Sequence, residues 1–303
     1  MRLDGERALA WRLARHALEP AAASSVADVA RRVVALRGWP ADLADRAVQV
    51  RLADPQPKAL ERALETGEVI RSYAFRGGSY VFTPEIAATY LAVRAGTGIW
   101  AKPRYQAQGR FALEDWEPLR AAVRERLAVG PATRAEIAEH VLSNPTLRHL
   151  AEGLTGFGSD SLYKPLHWWG DICFGPERDG QSTFRWLADD PAWPGLPDVA
   201  DAGPRAVALY LGAYGPVTDR NLSYWLTEGL GVPRRELHGW IEDLGEGVTK
   251  VKVDDDDALV LTEHVEEIAQ TSPSDTVHLL PGYDPWVMGP GTADARIVPP
   301  EHR

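Results

Sequence analysis

Apolar positions recur at helical spacing through the first part of the chain. Val26, Val29, Val33 and Leu36 fall on one face of a segment that predicts a helix over 25–36. Ser25, three residues before Asp28, resembles the start of a capping box with Asp in place of Glu. Gly38 and Pro40 break the pattern, and a second helix is predicted from Ala41 to Leu52. Further helices are predicted at about 5–17 and 57–66. The period then changes. Val69 to Phe75 and Ser79 to Phe82 read as strands around an Arg76-Gly77-Gly78 turn, and Pro84 opens another helix. On this reading Arg37 and Trp39 sit on a short loop between two packed helices, a position that can present side chains to a ligand.

The same order of elements repeats. Leu127 to Ile137 and Leu211 to Leu222 each contain a helix end, a Gly-Pro stop and a Thr that caps the next helix. Thr133 and Glu136 form a capping box in one copy; Asn221 stands in the place of Glu in the other, three residues after Thr218. In the first of these copies a short helix near 145–154, an apolar segment over 168–174, a turn at 176–180 and the segment 182–187 follow. In the other, a helix near 234–244, a strand over 248–253, the turn Asp254 to Asp257 and the segment 258–261 follow. With the N-terminal region this makes three units of helices followed by a strand-turn-strand, the order of a winged helix-turn-helix. The predicted fold is mainly α with small β wings. Its units span 1–112, 113–200 and 201–270.

Composition narrows the field. The chain has 303 residues, 45% of them hydrophobic and 25% charged, enough to bury a sizeable core. No apolar run approaches a membrane span, and the N-terminus lacks the apolar stretch of a signal peptide, so a cytoplasmic protein with no membrane partner is expected. The single Cys173 excludes an internal disulfide and argues against a cysteine zinc site. His140, His149 and His167 lack metal-ligand spacing, and no phosphate loop is present; neither metal nor cofactor is expected. The net charge of −10 is uneven: residues 1–120 hold 18 basic and 14 acidic side chains, the remainder 15 and 29. Only the N-terminal part is fit to meet a polyanion.

Several stretches together resemble the AlkZ-like winged-helix family of bacterial DNA glycosylases. Ala8 to His16 is similar to the family's opening helix, and Val69 to Tyr80 to its wing. Ala213 to Thr218 with Tyr224-Trp225, and Leu279 to Asp284, are similar to two further signatures. The resemblance implies three tandem winged helices around double-stranded DNA, a C-terminal β domain that 271–303 begins and whose DNA-contacting hairpin lies farther on in relatives, and hydrolysis of the N-glycosidic bond of alkylated purines. It also implies a Gln-x-Gln catalytic pair at the positions of Arg37 and Trp39. Here this chain departs from the family, and it ends at Arg303 where relatives continue.

The departure bears on chemistry. A 7-alkylpurine leaves with little acid catalysis, so the catalyst's work is to position a water and tolerate a cationic sugar. A glutamine amide can accept from that water; guanidinium and indole have donors only, and a guanidinium opposes the sugar cation. Asp42 and Asp45 on the following helix are the candidate replacement carboxylates, with a solvated helix face as the plainer reading. Arg37 and Trp39 could instead bind, by phosphate contact and base stacking, while Trp39 beside Pro40 could equally be a buried plug. Arg71, Arg76, Gly77 and Ser79 of the wing complete the expected DNA-binding set. Three readings remain open: a binder of alkylated DNA that does not excise, a glycosylase working through a carboxylate, and a protein- or ligand-binding module.

Overall fold

A computed structural model describes residues 1–302 as mostly helical, with three small three-stranded sheets. The chain opens with β1 (Arg2–Leu3) and α1 (Gly5–Arg15). A first unit follows: α2 (Val26–Val33), β2 (Leu36–Arg37), α3 (Ala41–Gln49), α4 (Ala59–Thr66), β3 (Ile70–Tyr73) and β4 (Ser79–Phe82). α5 (Pro84–Gly96) and α6 (Pro103–Gly109) lead into the second, α7 (Trp116–Ala128), β5 (Ala132–Thr133), α8 (Arg134–Ser143), α9 (Ala151–Thr155), α10 (Asp160–Trp168), β6 (Ile172–Phe174) and β7 (Thr183–Trp186). The third comprises α11 (Val199–Tyr214), α12 (Asp219–Leu222), α13 (Arg234–Asp243), β8 (Val248–Val253) and β9 (Asp256–Leu261). α14 (Val265–Gln270) and α15 (Pro285–Met288) close the chain.

The sheets share one plan. In the first, β2 pairs antiparallel with β4, which pairs with β3; in the second, β5, β7 and β6 do the same. In the third, Val217 bridges Leu259 of β9, which pairs with β8. This plan explains why α2 ends before the apolar pattern does. The exposed edge of β4 offers unpaired backbone groups, and Leu36 and Arg37 satisfy them opposite Val81 and Tyr80. Val34 turns the chain with φ 67°, and Leu36 is buried in the strand as it would have been in a helix. Arg37 is therefore a strand residue and not a loop residue.

Packing redraws two expected boundaries. β1 pairs parallel with β8, and Leu3, Ala8 and Trp11 pack on Val251, Val253 and Val260, so the N-terminal segment belongs to the third unit and not the first. Residues 271–302 contain no strand. Six prolines in this stretch lack the N–H that a sheet ladder needs, and the segment runs as a strap with one short helix. α10, which no sequence signal located, contains Pro165 and is buried along most of its length.

α5 is buried on nearly every side and packs along α11, where the Tyr90 hydroxyl donates to Ala206 O at 3.0 Å. Around them an aromatic cluster joins the first and third units. Phe75, from the hairpin turn, meets Trp225 at 4.1 Å between ring centroids, and Trp225 stacks on Tyr210 at 5.4 Å. Buried aromatic pairs of this kind hold elements in register. The turn between β3 and β4 is thus anchored in the interior by its first residue.

Candidate functional site

Alternation along β2 sets the site. Leu36 points into the core of the first unit and Arg37, next along the strand, faces the other way; Trp39 follows just past the strand end. The Arg37 guanidinium lies 5.4 Å from the Tyr80 ring centroid and fills the space that a Cβ on Gly78 would need. It has no carboxylate within ion-pair distance among the described residues, and its Nε has no partner. Trp39 is 63% exposed, which excludes the buried-plug reading. Arg37, Trp39, Leu43 and Tyr283 border one shallow cleft, and Tyr283 is itself 53% exposed.

Other cations surround the neighbouring turn. Arg76 is exposed; its Nη1 donates to Tyr224 O at 3.1 Å and its guanidinium lies 4.2 Å from the Tyr224 ring centroid. Lys164 reaches from α10 to Gly77 and pairs with Asp160 at 2.8 Å. Arg71 and Ser79 do not share this surface. Arg71 is buried, 4.3 Å from the Phe174 ring centroid, and donates a long hydrogen bond of 3.4 Å to Gly38 O; burial lowers its pKa. Ser79 is buried in β4, so neither side chain is placed to meet a duplex. Of the expected DNA-binding set, Trp39 and Arg76 are exposed, and Arg37 and Gly77 are half-buried.

Asp42 and Asp45 lie elsewhere. Both border a separate, larger cavity that Arg37 and Trp39 do not line. The Asp45 carboxylate accepts from Leu60 N at 3.3 Å and from Gln49 Nε2 at 3.3 Å, so it serves the start of α4. Asp42 is exposed in the first turn of α3. The structure thus separates the candidate carboxylates from Arg37 and Trp39.

Sequence reasoning missed the residues that bring Tyr283 to the cleft. Arg51 is fully buried and makes a two-pronged ion pair with Asp284, at 2.8 Å and 2.6 Å. The adjacent Tyr283, with φ 62°, is thereby held beside Trp39. Farther along, Asn221 Nδ2 donates to Pro290 O at 3.0 Å and to Asp294 at 3.1 Å. The Leu279 to Asp284 stretch carried the only signal for this region; nothing marked Arg51 as its partner. Among the described residues no group of three or more His, Cys, Asp or Glu is placed to hold a metal ion, and no helix is long and apolar enough to cross a membrane.

The model of the AlkZ-like DNA glycosylase family matches residues 30–303. The chain belongs to that family. It is 32% identical over 306 aligned residues to the interstrand DNA cross-link repair glycosylase of Streptomyces sahachiroi, covering 100% of this chain and 82% of the relative. The solved structure of the Streptomyces sahachiroi DNA glycosylase AlkZ superposes with a TM-score of 0.93, covering 100% of this chain and 81% of that one. The fold described above is therefore the family's fold, carried on a chain whose cleft presents Arg37 and Trp39.

Proposed function

We propose that this chain is a DNA-repair protein that holds alkylated duplex DNA through three tandem winged helices and does not hydrolyse the glycosidic bond by a glutamine route. The observation that carries this reading is that half-buried Arg37 and exposed Trp39 border one cleft; the resemblance implies Gln-x-Gln at these two positions. Neither side chain can accept a hydrogen bond from an attacking water, and Arg37 would raise the energy of a cation at the sugar. Both suit binding: guanidinium to phosphate or a base edge, indole to the face of an unstacked base. Tyr283 adds a second ring beside Trp39, and Arg76 adds charge on the turn that Arg37 contacts at Gly78.

The test has two arms. Duplex affinity is expected to fall steeply with salt, because contacts to phosphate release counterions. Trp39→Ala is expected to weaken binding by about tenfold or more without lowering the melting temperature, since stacking on a base is worth about 1–3 kcal/mol and the ring is largely free of the fold. In the second arm, a duplex containing 7-methylguanine should lose its base no faster than in buffer. Undetectable duplex binding at low salt overturns the reading in favour of a protein- or ligand-binding module. Cleavage that Asp42→Asn abolishes overturns it in favour of a carboxylate-dependent glycosylase.

A further inference from the structure

A cavity of about 570 Å³ lies between the first and second units, lined by Gly38 but not by Arg37 or Trp39. This volume falls within the range of small-molecule sites. Its walls are apolar where Leu60, Leu64 and Phe174 line them, and its rim carries the exposed carboxylates of Asp42, Glu65 and Glu177. None of these three has an ion-pair partner among the described residues. Lys58 pairs with Glu61 at 3.0 Å and Arg185 with Asp190 at 2.7 Å, while Asp45 accepts hydrogen bonds from Leu60 N and Gln49 Nε2.

One buried charge in this cavity has no ion-pair partner. Arg71 is 7% exposed, its Nε has no hydrogen-bond partner, its guanidinium donates one long hydrogen bond to Gly38 O at 3.4 Å, and Glu177 at the rim acts on it from beyond ion-pair distance. A buried guanidinium with so few acceptors is costly, and a ligand oxygen would relieve that cost. The rim demands the opposite charge. Carboxylates outnumber cations along the lining, so the rim disfavours phosphate and attracts a cation.

We propose that the cavity binds a small amphipathic amine: an apolar ring system against Leu60, Leu64 and Phe174, an oxygen acceptor facing Arg71, and an ammonium at the acidic rim. The assignment does not rest on DNA binding and concerns a different set of side chains. It gives Arg71 a use that its burial denies it at a duplex.

Dansylcadaverine is a direct probe, because it joins a naphthalene ring and sulfonyl oxygens to a primary ammonium. Titrated into the full chain without DNA, it is expected to bind with a blue-shifted, brighter emission. Dansyl-6-aminohexanoate, which keeps the ring and ends in a carboxylate, is expected to bind about tenfold more weakly or worse. Leu64→Trp, which fills the apolar wall, should abolish dansylcadaverine binding, and Glu65→Gln with Glu177→Gln should weaken it about fivefold or more. Phe157→Ala, which removes the most exposed apolar ring, should leave it unchanged. Should Leu64→Trp fail to fold, the two surface Gln changes still decide. Equal binding of the two probes, binding insensitive to the Gln changes, or no binding up to about 1 mM overturns the proposal.

Discussion

Arg71 and Arg76 stand on one hairpin and face opposite environments. Arg71 lies against Phe174 inside the molecule, whereas Arg76 rests on Tyr224 at the surface. Sequence spacing could not separate them, because burial depends on what the second unit lays over the strand. Two histidines show the same dependence. His16 is wholly buried, with Nε2 donating to Ala213 O at 2.9 Å and Arg51, Arg12 and Arg15 nearby; burial, and then those cations, hold its pKa well below the usual value. His167 contacts Ser72 Oγ at 3.1 Å, and burial followed by Arg134 and Arg71 depresses it likewise. Both stay neutral in the folded chain and protonate in the unfolded one. Their stabilisation is therefore complete above about pH 6.5 and declines as pH falls below it, at up to about 1.4 kcal/mol per pH unit for each histidine. Thermal melts from pH 7.5 to 5.5 should show a falling midpoint, with a shallower fall in His167→Gln. A midpoint flat over that range would contradict the buried, neutral assignment.

At the scale of elements, the two capping boxes are alike in form and different in use. Thr133 Oγ1 accepts from Glu136 N at 3.3 Å, while the Glu136 carboxylate accepts from Thr133 N at 2.8 Å. Backbone bonding, with the Arg178 ion pair adding to it, lowers the Glu136 pKa to about 2. Asn221 makes the same bond back to Thr218 N at 2.9 Å, and its amide also donates to the strap. A glutamate could cap here but could not donate, which accounts for the amide in this copy. Asn221→Asp keeps the cap, loses both donors and sets a carboxylate against Asp294. It should cost about 3 kcal/mol in chemical denaturation. Thr133→Ala, which loses only a cap, should cost about 1 kcal/mol. Equal costs would mean that the strap contact contributes nothing. The capping boxes were readable in sequence because they are local. β2 was not, because its partner β4 lies beyond two helices and a strand of the same unit.

Across the whole molecule, residues distant in sequence assemble the cleft. β2 supplies Arg37, the residues after it supply Trp39, and the C-terminal strap supplies Tyr283 through the Arg51–Asp284 pair. Removing one member of a buried pair strands the other, at about 3–5 kcal/mol. Asp284→Ala should therefore lower stability by that amount and weaken duplex binding as Tyr283 loses its anchor. Urea unfolding and DNA titration on the same variant test the two effects. Asp284→Ala with unchanged stability would refute the structural role of the pair. The charge asymmetry also takes on a spatial meaning here: Arg37, Arg76 and Lys164 gather round one turn, although Lys164 comes from the acidic remainder of the chain.

Local rules were sufficient for the helix caps, for the hairpins over 70–82 and 248–261, and for the repeated order of elements, since each depends on residues a few positions apart. The resemblance pointed to the family, and it marked Arg37 and Trp39 as the departure from its chemistry. Tertiary structure alone decided the rest. It turned residues 36 and 37 into an edge strand, moved α1 to the third unit, and laid 271–302 down as a strap. It buried Arg71 while leaving Arg76 outside, and it drew Asp42 and Asp45 to a cavity apart from the cleft. Each of these outcomes depends on a long-range neighbour that satisfies a backbone edge, covers a side chain or pairs a buried charge, and no short stretch of sequence contains both partners.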